Sequence, residues 1–124
     1  MSSNDDRVKV EGTGKLLRIF VGESDRLGMQ PLYTAIVERA RKSGLAGATV
    51  FKGIEGYGGH SVVHAARVLD LSSDLPVLIE IVDVEERIRA FLPELDSLIR
   101  EGLVTLETVE IVHYREGAKR DEKP

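Results

Sequence analysis

The chain has 124 residues, 42% of them hydrophobic and 31% charged, the proportions of an ordinary globular domain. Its formal net charge of −4 argues against a sequence-independent nucleic-acid binder, because such proteins need a basic surface to displace counterions. The absence of cysteine removes disulfides, thiolate catalysis and cysteine-ligated zinc. There is no apolar signal segment at the N-terminus and no apolar run of the roughly 20 residues that span a bilayer. We therefore expect a cytoplasmic protein that does not insert into the membrane.

The spacing of apolar residues predicts six elements in the order β-α-β-β-α-β. Strands are predicted at 15–22, from about 49, at 77–82 and at 103–114, and helices at 30–43 and from 83 to about 100. We expect one domain over residues 14–115, with flexible tails at 1–13 and 116–124.

Four local patterns predict how these elements begin, end or bend. Pro31 suits the first turn of the first helix, and Gly44 suits the position just beyond its end. Asp83, with Glu86 three residues later, resembles a capping box for the second helix. Pro93 predicts a kink in that helix, and Gly102 is predicted to end it. In the last strand, a slip of the apolar phase after Leu106 predicts a bulge or bend.

The predicted order is that of the split βαβ, or ferredoxin-like, α+β fold. Two helices should cover one face of a four-stranded antiparallel sheet. The other face would carry Leu16, Phe20, Phe51 and Leu78, which are too apolar to remain in water. We therefore expect the protein to associate with further copies of itself.

Glycines are concentrated directly after the second strand, where Gly53, Gly56, Gly58 and Gly59 fall within seven positions. Glycine permits positive φ and close approach of the backbone, which suits either simple turns or a loop that wraps an anion. The split βαβ topology places this loop, the segment 23–25 and Gly102 at one end of the sheet. Two carboxylates there, Glu23 and Asp25, would repel an anion unless a cation or Arg26 intervenes.

The sequence gives weaker support for a metal site and for catalysis. His60 and His64 are spaced to share a helix face, but Ser61 stands where the metalloprotease pattern requires Glu, and no third ligand is evident. Acid–base catalysis by Glu23, Asp25 or His60 lacks a nucleophile–base pair, so we do not expect an enzyme.

The foot of the glycine loop, Phe51-Lys52-Gly53 and then Gly59-His60, resembles the T-loop foot of PII signalling proteins. The strand beginning Leu75-Pro76 is similar to the one that re-enters the PII sheet. The match is closer to an uncharacterised PII-like family of bacteria and archaea, on the segments 22–25, 44–50, 53–56 and 91–95. This resemblance covers about residues 14–115.

The resemblance implies a PII-like homotrimer with its sheets facing inward and a ligand cleft between subunits. No cofactor is required; the implied ligand is an adenine nucleotide, AMP, ADP or ATP. The residues implied in nucleotide binding are Gly53, Glu55, Gly56, Tyr57, Gly58, Gly59, His60, Gly102, His113 and Arg115. His64 and Arg67 fall in the loop implied to contact a partner protein, and a membrane transporter or channel is the implied target.

The sequence also departs from PII proteins. Gly56 and Tyr57 replace a basic residue and a glutamine of the loop foot, and Val77 replaces the lysine that reaches ligand phosphates. The long loop before the last PII strand is reduced here to residues 100–102. A trimeric metal-binding protein of the CutA kind is therefore the alternative function, with the same fold and no nucleotide.

Overall fold

Four strands form one antiparallel sheet in the order β2–β3–β1–β4 in the structure, a computed structural model that describes residues 8–9, 12–58 and 74–116. The strands are β1 (Gly12–Gly22), β2 (Thr49–Lys52), β3 (Pro76–Asp83) and β4 (Leu103–Ile111), and the helices are α1 (Leu32–Lys42) and α2 (Glu85–Leu98). This is the ferredoxin-like α+β fold, and the predicted fold class is confirmed.

Both helices pack on one face of the sheet, because alternate residues of the two central strands are apolar. Leu17, Ile19 and Val21 of β1, with the matching residues of β3, are buried against helix residues such as Ile36 and Phe91. The core is therefore a single layer between the sheet and the helices. Neither helix in the described residues is long and apolar enough to cross a membrane.

The first helix is shorter than predicted because its N-terminal residues belong to a small hairpin. Gln30–Pro31 pairs with Arg26–Leu27, and Pro31 occupies the N-cap position with an extended backbone, φ −60° and ψ 141°. Gly44, with φ +85°, follows the helix as predicted.

The predicted capping box at the second helix is wrong. Val84 is the N-cap, and no side chain caps the helix. Asp83 is instead the last residue of β3 and is fully buried. Its Oδ1 accepts a hydrogen bond from the Val84 N–H at 2.7 Å and its Oδ2 accepts one from the Ala46 N–H at 3.0 Å. Asp83 therefore joins the α1–β2 connection to the sheet, a long-range contact that its local spacing does not reveal.

The second helix also ends earlier than predicted, at Leu98. Ile99 is its C-cap in an extended conformation, so Gly102 lies beyond the helix rather than ending it. Pro93 lies inside the helix as expected, and the kink stays a prediction.

The predicted bulge in the last strand is wrong as well. β4 pairs with β1 in one unbroken register from Leu103 opposite Phe20 to Ile111 opposite Gly12. The apolar phase slips because Leu106 faces the helices, whereas the Ile111 side chain lies on the other face, over Gly14. The strand ends at Ile111 rather than Tyr114, and Arg115–Glu116 pairs with Val8–Lys9.

The sheet face away from the helices carries one apolar row across all four strands. The row, defined by register, consists of Phe51, Leu78, Phe20 and Leu103. Phe51 and Leu103 are 48% and 56% exposed in the single chain. Next to this row, Arg18 forms ion pairs of 3.0 Å with both Glu80 and Glu107. The hydrogen bond to Glu80 is the main reason why the pKa of Arg18 is raised.

Candidate ligand cleft

A cleft of about 460 Å³ lies at the end of the sheet where β1 ends and β3 and β4 begin. Four structural segments form its wall: the end of β1 with its turn, the foot of the loop after β2, and the starts of β3 and β4. The lining residues are Phe20, Val21, Gly22, Asp25, Tyr57, Gly58, Asp74, Pro76, Glu101, Gly102 and Leu103.

Two aspartates fix the turn that follows β1. Asp25 Oδ2 accepts a hydrogen bond from the Gly22 N–H at 2.9 Å, and Asp74 Oδ1 accepts one from the Ser24 N–H at 2.8 Å. A Cβ at Gly22 would lie 2.7 Å from Asp74 Oδ2. A side chain at position 22 would therefore force the Asp74 carboxylate to move from its place in the cleft wall.

The foot of the glycine loop packs on Pro76 at the start of β3. The Gly53 N–H donates to the Pro76 carbonyl at 2.8 Å. Gly56 adopts φ +145°, and a Cβ at this position would lie 3.2 Å from Pro76 Cγ. These two glycines shape the foot of the loop, and Tyr57 and Gly58 then line the cleft. Tyr57 is 68% exposed, so it is accessible to a ligand.

Gly102 allows β4 to start directly against the end of β1. Its φ is +157°, and a Cβ at this position would lie 2.7 Å from the Phe20 carbonyl oxygen. Any larger residue would push the two strand ends apart and alter the floor of the cleft.

An ion pair connects the turn after β1 to the foot of the loop. Lys52 Nζ lies 2.7 Å from Glu23 Oε2, and this hydrogen bond to Glu23 is the main reason why the pKa of Lys52 is raised. Arg26, which the sequence suggested as a possible neighbour of these carboxylates, donates instead to the Met29 carbonyl at 2.5 Å.

The structure brings together three segments that the sequence predicted to meet. Asp25, the pair Tyr57–Gly58, and Gly102 all line the one cleft. Glu55 is exposed and does not line it. Gly59, His60, His64 and Arg67 lie outside the described residues, and so does most of the loop that the resemblance implies contacts a partner protein.

Two predicted site residues lie at the opposite end of the sheet. His113 follows the end of β4 and lines a different cavity, of about 360 Å³, beside Gly47 and Thr49. Arg115 Nη1 lies 3.3 Å from His113 Nε2. Within one chain these residues do not reach the cleft, so a role at the ligand stays a prediction that requires a neighbouring subunit.

Several cleft residues were not found by sequence reasoning: Phe20, Asp74, Pro76, Glu101 and Leu103. All of them flank the three predicted segments at strand ends. The predicted topology places those strand ends together, so it offered the signal that could have identified Phe20, Pro76, Glu101 and Leu103, but not Asp74, which precedes β3.

The described residues contain no group of three or more His, Cys, Asp or Glu side chains that could hold a metal ion. The pair His60 and His64 lies outside them.

A model of the DUF190 family, described as uncharacterized ACR, COG1993, matches residues 14–111. The chain belongs to the DUF190 family. A UPF0166 protein of Aquifex aeolicus is 44% identical over 99 residues, which cover 80% of this chain and 93% of that protein. A UPF0166 protein of Methanocaldococcus jannaschii is 40% identical over 93 residues, 74% of this chain and 85% of that one.

The fold of this DUF190 protein is shared with PII-like signalling proteins. A Thermus thermophilus structure described as a PII-like signalling protein superposes with a TM-score of 0.58 and 21% identity, covering 86% of this chain and 93% of that one. CPII of Thiomonas intermedia, in a structure bound to ADP and bicarbonate, superposes with a TM-score of 0.52 and 17% identity. The superposition covers 80% of this chain and 88% of that one. At these identities the likeness establishes the fold alone.

Proposed function

We propose that this protein is a PII-like regulatory protein that binds an adenine nucleotide in the cleft. The loop after β2 then carries the signal to a partner protein. The observation that carries the proposal is the position of the cleft: its wall includes Tyr57 and Gly58, at the foot of the loop, together with the ends of three strands. A ligand bound there would contact the loop foot directly.

The chemistry of the wall suits the base of a nucleotide. Phe20, Tyr57, Pro76 and Leu103 provide apolar and aromatic surface. Stacking of a base on an aromatic side chain contributes about 1–3 kcal/mol. Binding of ADP by CPII, which shares the fold, supports this choice of ligand.

We further propose that the protein acts as a homotrimer. The apolar row of Phe51, Leu78, Phe20 and Leu103 offers surface that association would remove from water. Phe20 and Leu103 also line the cleft, so association through this face would place a neighbouring copy beside the ligand. In such an assembly, His113 and Arg115 of the neighbour are the basic residues proposed to meet ligand phosphates.

The proposed role is regulatory rather than enzymatic, in the cytoplasm, with a membrane transporter or channel as the target. The shared fold with PII-like signalling proteins supports the regulatory role.

Isothermal titration calorimetry with AMP, ADP and ATP tests the nucleotide proposal. We expect saturable binding of at least one of them to the wild-type protein. Tyr57→Ala should weaken binding roughly tenfold or more, because it removes the stacking surface. Its exposure means that the variant should still fold.

Met29→Ala is the matched control, since Met29 is 91% exposed and lies outside the cleft wall. It should bind like the wild type. Absence of heat with all three nucleotides, or equal affinities in the two variants, would contradict the proposal.

A further inference from the structure

A short N-terminal arm, Val8–Lys9, pairs with the chain beyond the end of β4. The arm runs antiparallel to Arg115–Glu116. The family model matches residues 14–111, so both partners of this pairing lie outside the matched region. The pairing is therefore an addition to the part of the chain that the family model describes.

The arm is out of step with the β1–β4 ladder by one residue. That ladder ends where Gly12 lies opposite Ile111, and the pairing of the arm starts where Lys9 lies opposite Arg115. Two residues separate these pairs on the N-terminal side and three, 112–114, on the C-terminal side. The C-terminal side therefore carries one extra residue beyond β4, the count found in a β-bulge, which bends a strand and redirects its side chains.

The positions of His113 and Tyr114 show the effect of the extra residue. Successive residues of a regular strand point to opposite faces of the sheet. Both of these residues nevertheless line the same cavity, the one of about 360 Å³ at the end of the sheet opposite the cleft. Tyr114 Oη also donates to the Ala46 carbonyl at 3.3 Å, which attaches the segment 112–114 to the connection that leads into β2.

The segment 112–114 is held at both of its ends. Before it, Ile111 packs over Gly14, where a Cβ would clash with the Ile111 side chain. After it, the backbone of Arg115 pairs with the arm. Arg115 Nη1 lies 3.3 Å from His113 Nε2, and because a guanidinium only donates, the imidazole nitrogen is the acceptor. The arm therefore fixes the residue whose side chain orients His113.

We propose that the N-terminal arm is a positioning segment, which holds His113 and Arg115 in the orientation that a ligand meets. The inference rests on the proposed function, in which these two residues reach the phosphates of a ligand bound by a neighbouring subunit. Without the pairing, the two side chains would have to be ordered as the ligand binds. Ordering one long side chain on binding weakens affinity by roughly two- to tenfold.

Proline substitutions in the full-length protein separate the pairing of the arm from its composition. Val8→Pro with Lys9→Pro removes the backbone N–H donors of the arm. Val8→Thr with Lys9→Thr is the matched control, because it changes the same residues, including the lysine charge, but keeps the donors and the preference for a strand. Both variants should unfold at the same urea concentration, since the buried core cluster lies within residues 17–98.

Hydrogen–deuterium exchange tests the pairing in the absence of any ligand. A peptide covering 111–116 should exchange about threefold faster or more in the proline variant than in the threonine control, because the pairing that protects it is lost. Exchange across the middle of α1, 34–40, should be the same in both. Equal exchange of 111–116 in the two variants would overturn the inference.

Calorimetric affinity for the nucleotide that binds the wild type most tightly tests the positioning. The proline variant should bind roughly two- to tenfold more weakly than the threonine control, which should bind like the wild type. In a His113→Ala background the loss caused by the prolines should shrink, because one of the residues that the arm positions is gone. A merely structural role of the arm would leave that loss undiminished.

Equal affinities of the proline and threonine variants, or an undiminished loss in the His113→Ala background, would overturn this inference and leave nucleotide binding intact. Failure of AMP, ADP and ATP to bind the wild type would instead refute the proposed function, and the role of the arm at the ligand with it.

Discussion

Asp83 is a fully buried carboxylate that joins two parts of the chain. Both of its oxygens accept backbone N–H groups, from Val84 and Ala46, and Arg87 lies 3.6 Å away. A buried carboxylate of this kind stabilises the fold only while its oxygens accept hydrogen bonds from these donors.

Asp83→Asn should therefore lower the free energy of unfolding by about 1–3 kcal/mol, because an amide N–H₂ would replace one of the two acceptors and face a backbone donor. Urea denaturation gives the value. Glu86→Gln, an exposed carboxylate three residues away, should change it by less than about 0.5 kcal/mol. Equal stabilities of the two variants would contradict the assigned role of Asp83.

Gly102→Ala should destabilise the protein by about 1–3 kcal/mol, since the new Cβ would lie 2.7 Å from the Phe20 carbonyl oxygen at φ +157°. Gly47→Ala is the matched control, because nothing lies within 4 Å of its Cβ position. Thermal or urea denaturation of both variants measures the difference. If the Gly102 variant were as stable as the control, the close approach of β1 and β4 would be disproved.

At the scale of elements, the Lys52–Glu23 pair joins the turn after β1 to the end of β2. Glu23 raises the pKa of Lys52 above its ordinary value of 10.5. When folding raises the pKa of a base, its ion pair stabilises the fold fully at pH values below the ordinary pKa. This stabilisation is lost as the pH rises through the raised pKa of the folded state.

The difference in unfolding free energy between wild type and Lys52→Gln should therefore be the same at about pH 7 and about pH 9. Urea denaturation at the two pH values is the measurement, with Lys42→Gln, an exposed lysine at the end of α1, as the control. If the difference in unfolding free energy between wild type and Lys52→Gln were smaller at about pH 9 than at about pH 7, Lys52 would lose its proton below its ordinary pKa. That result would contradict the ion pair with Glu23.

A helix or strand was predicted well where the spacing of its apolar residues reflects a single buried face. The alternation of Leu17, Ile19 and Val21 along β1 reflects one buried face. The helical spacing of Leu32, Ile36 and Ala40 in α1 reflects another, although Met29, which the same spacing also includes, precedes the helix and is 91% exposed. A spacing that could arise either from a local helix cap or from a long-range contact was misinterpreted. The Asp83 and Glu86 spacing has the form of a capping box, but a long-range hydrogen bond to Ala46 determines the role of Asp83.

At the scale of the whole molecule, the sheet face away from the helices is the surface through which we propose that copies of the chain associate. Phe51 is 48% exposed in the single chain and belongs to the apolar row that we propose becomes buried in a homotrimer. Next to the row, Arg18 is paired with Glu80 and Glu107.

Light scattering of the wild type should give three times the 13.7 kDa mass of the chain. Phe51→Glu should dissociate the assembly, because it would place a charge in an apolar interface. The exposed Met29 belongs to the small hairpin 26–31, which is not part of the four-stranded sheet, and Met29→Glu should remain trimeric. A wild-type monomer at micromolar concentration, or a trimeric Phe51→Glu protein, would contradict the proposal.

The cleft could be predicted in part because topology alone places strand ends together. It brought Asp25, Tyr57 and Gly102 to one end of the sheet. It could not show that Asp74 would turn back over Gly22, because that depends on the path of the chain into β3. His113 lies at the end of the sheet opposite the cleft, because β4 begins at the cleft and runs away from it.

Hydrogen–deuterium exchange with and without saturating AMP tests the central claim, nucleotide binding in the cleft, most directly. We predict slower exchange in peptides covering 20–25, 56–58 and 101–103, which form the wall, and unchanged exchange across the middle of α1, 34–40. Unchanged exchange in all three wall segments with AMP, ADP and ATP, each with and without Mg²⁺, would contradict it.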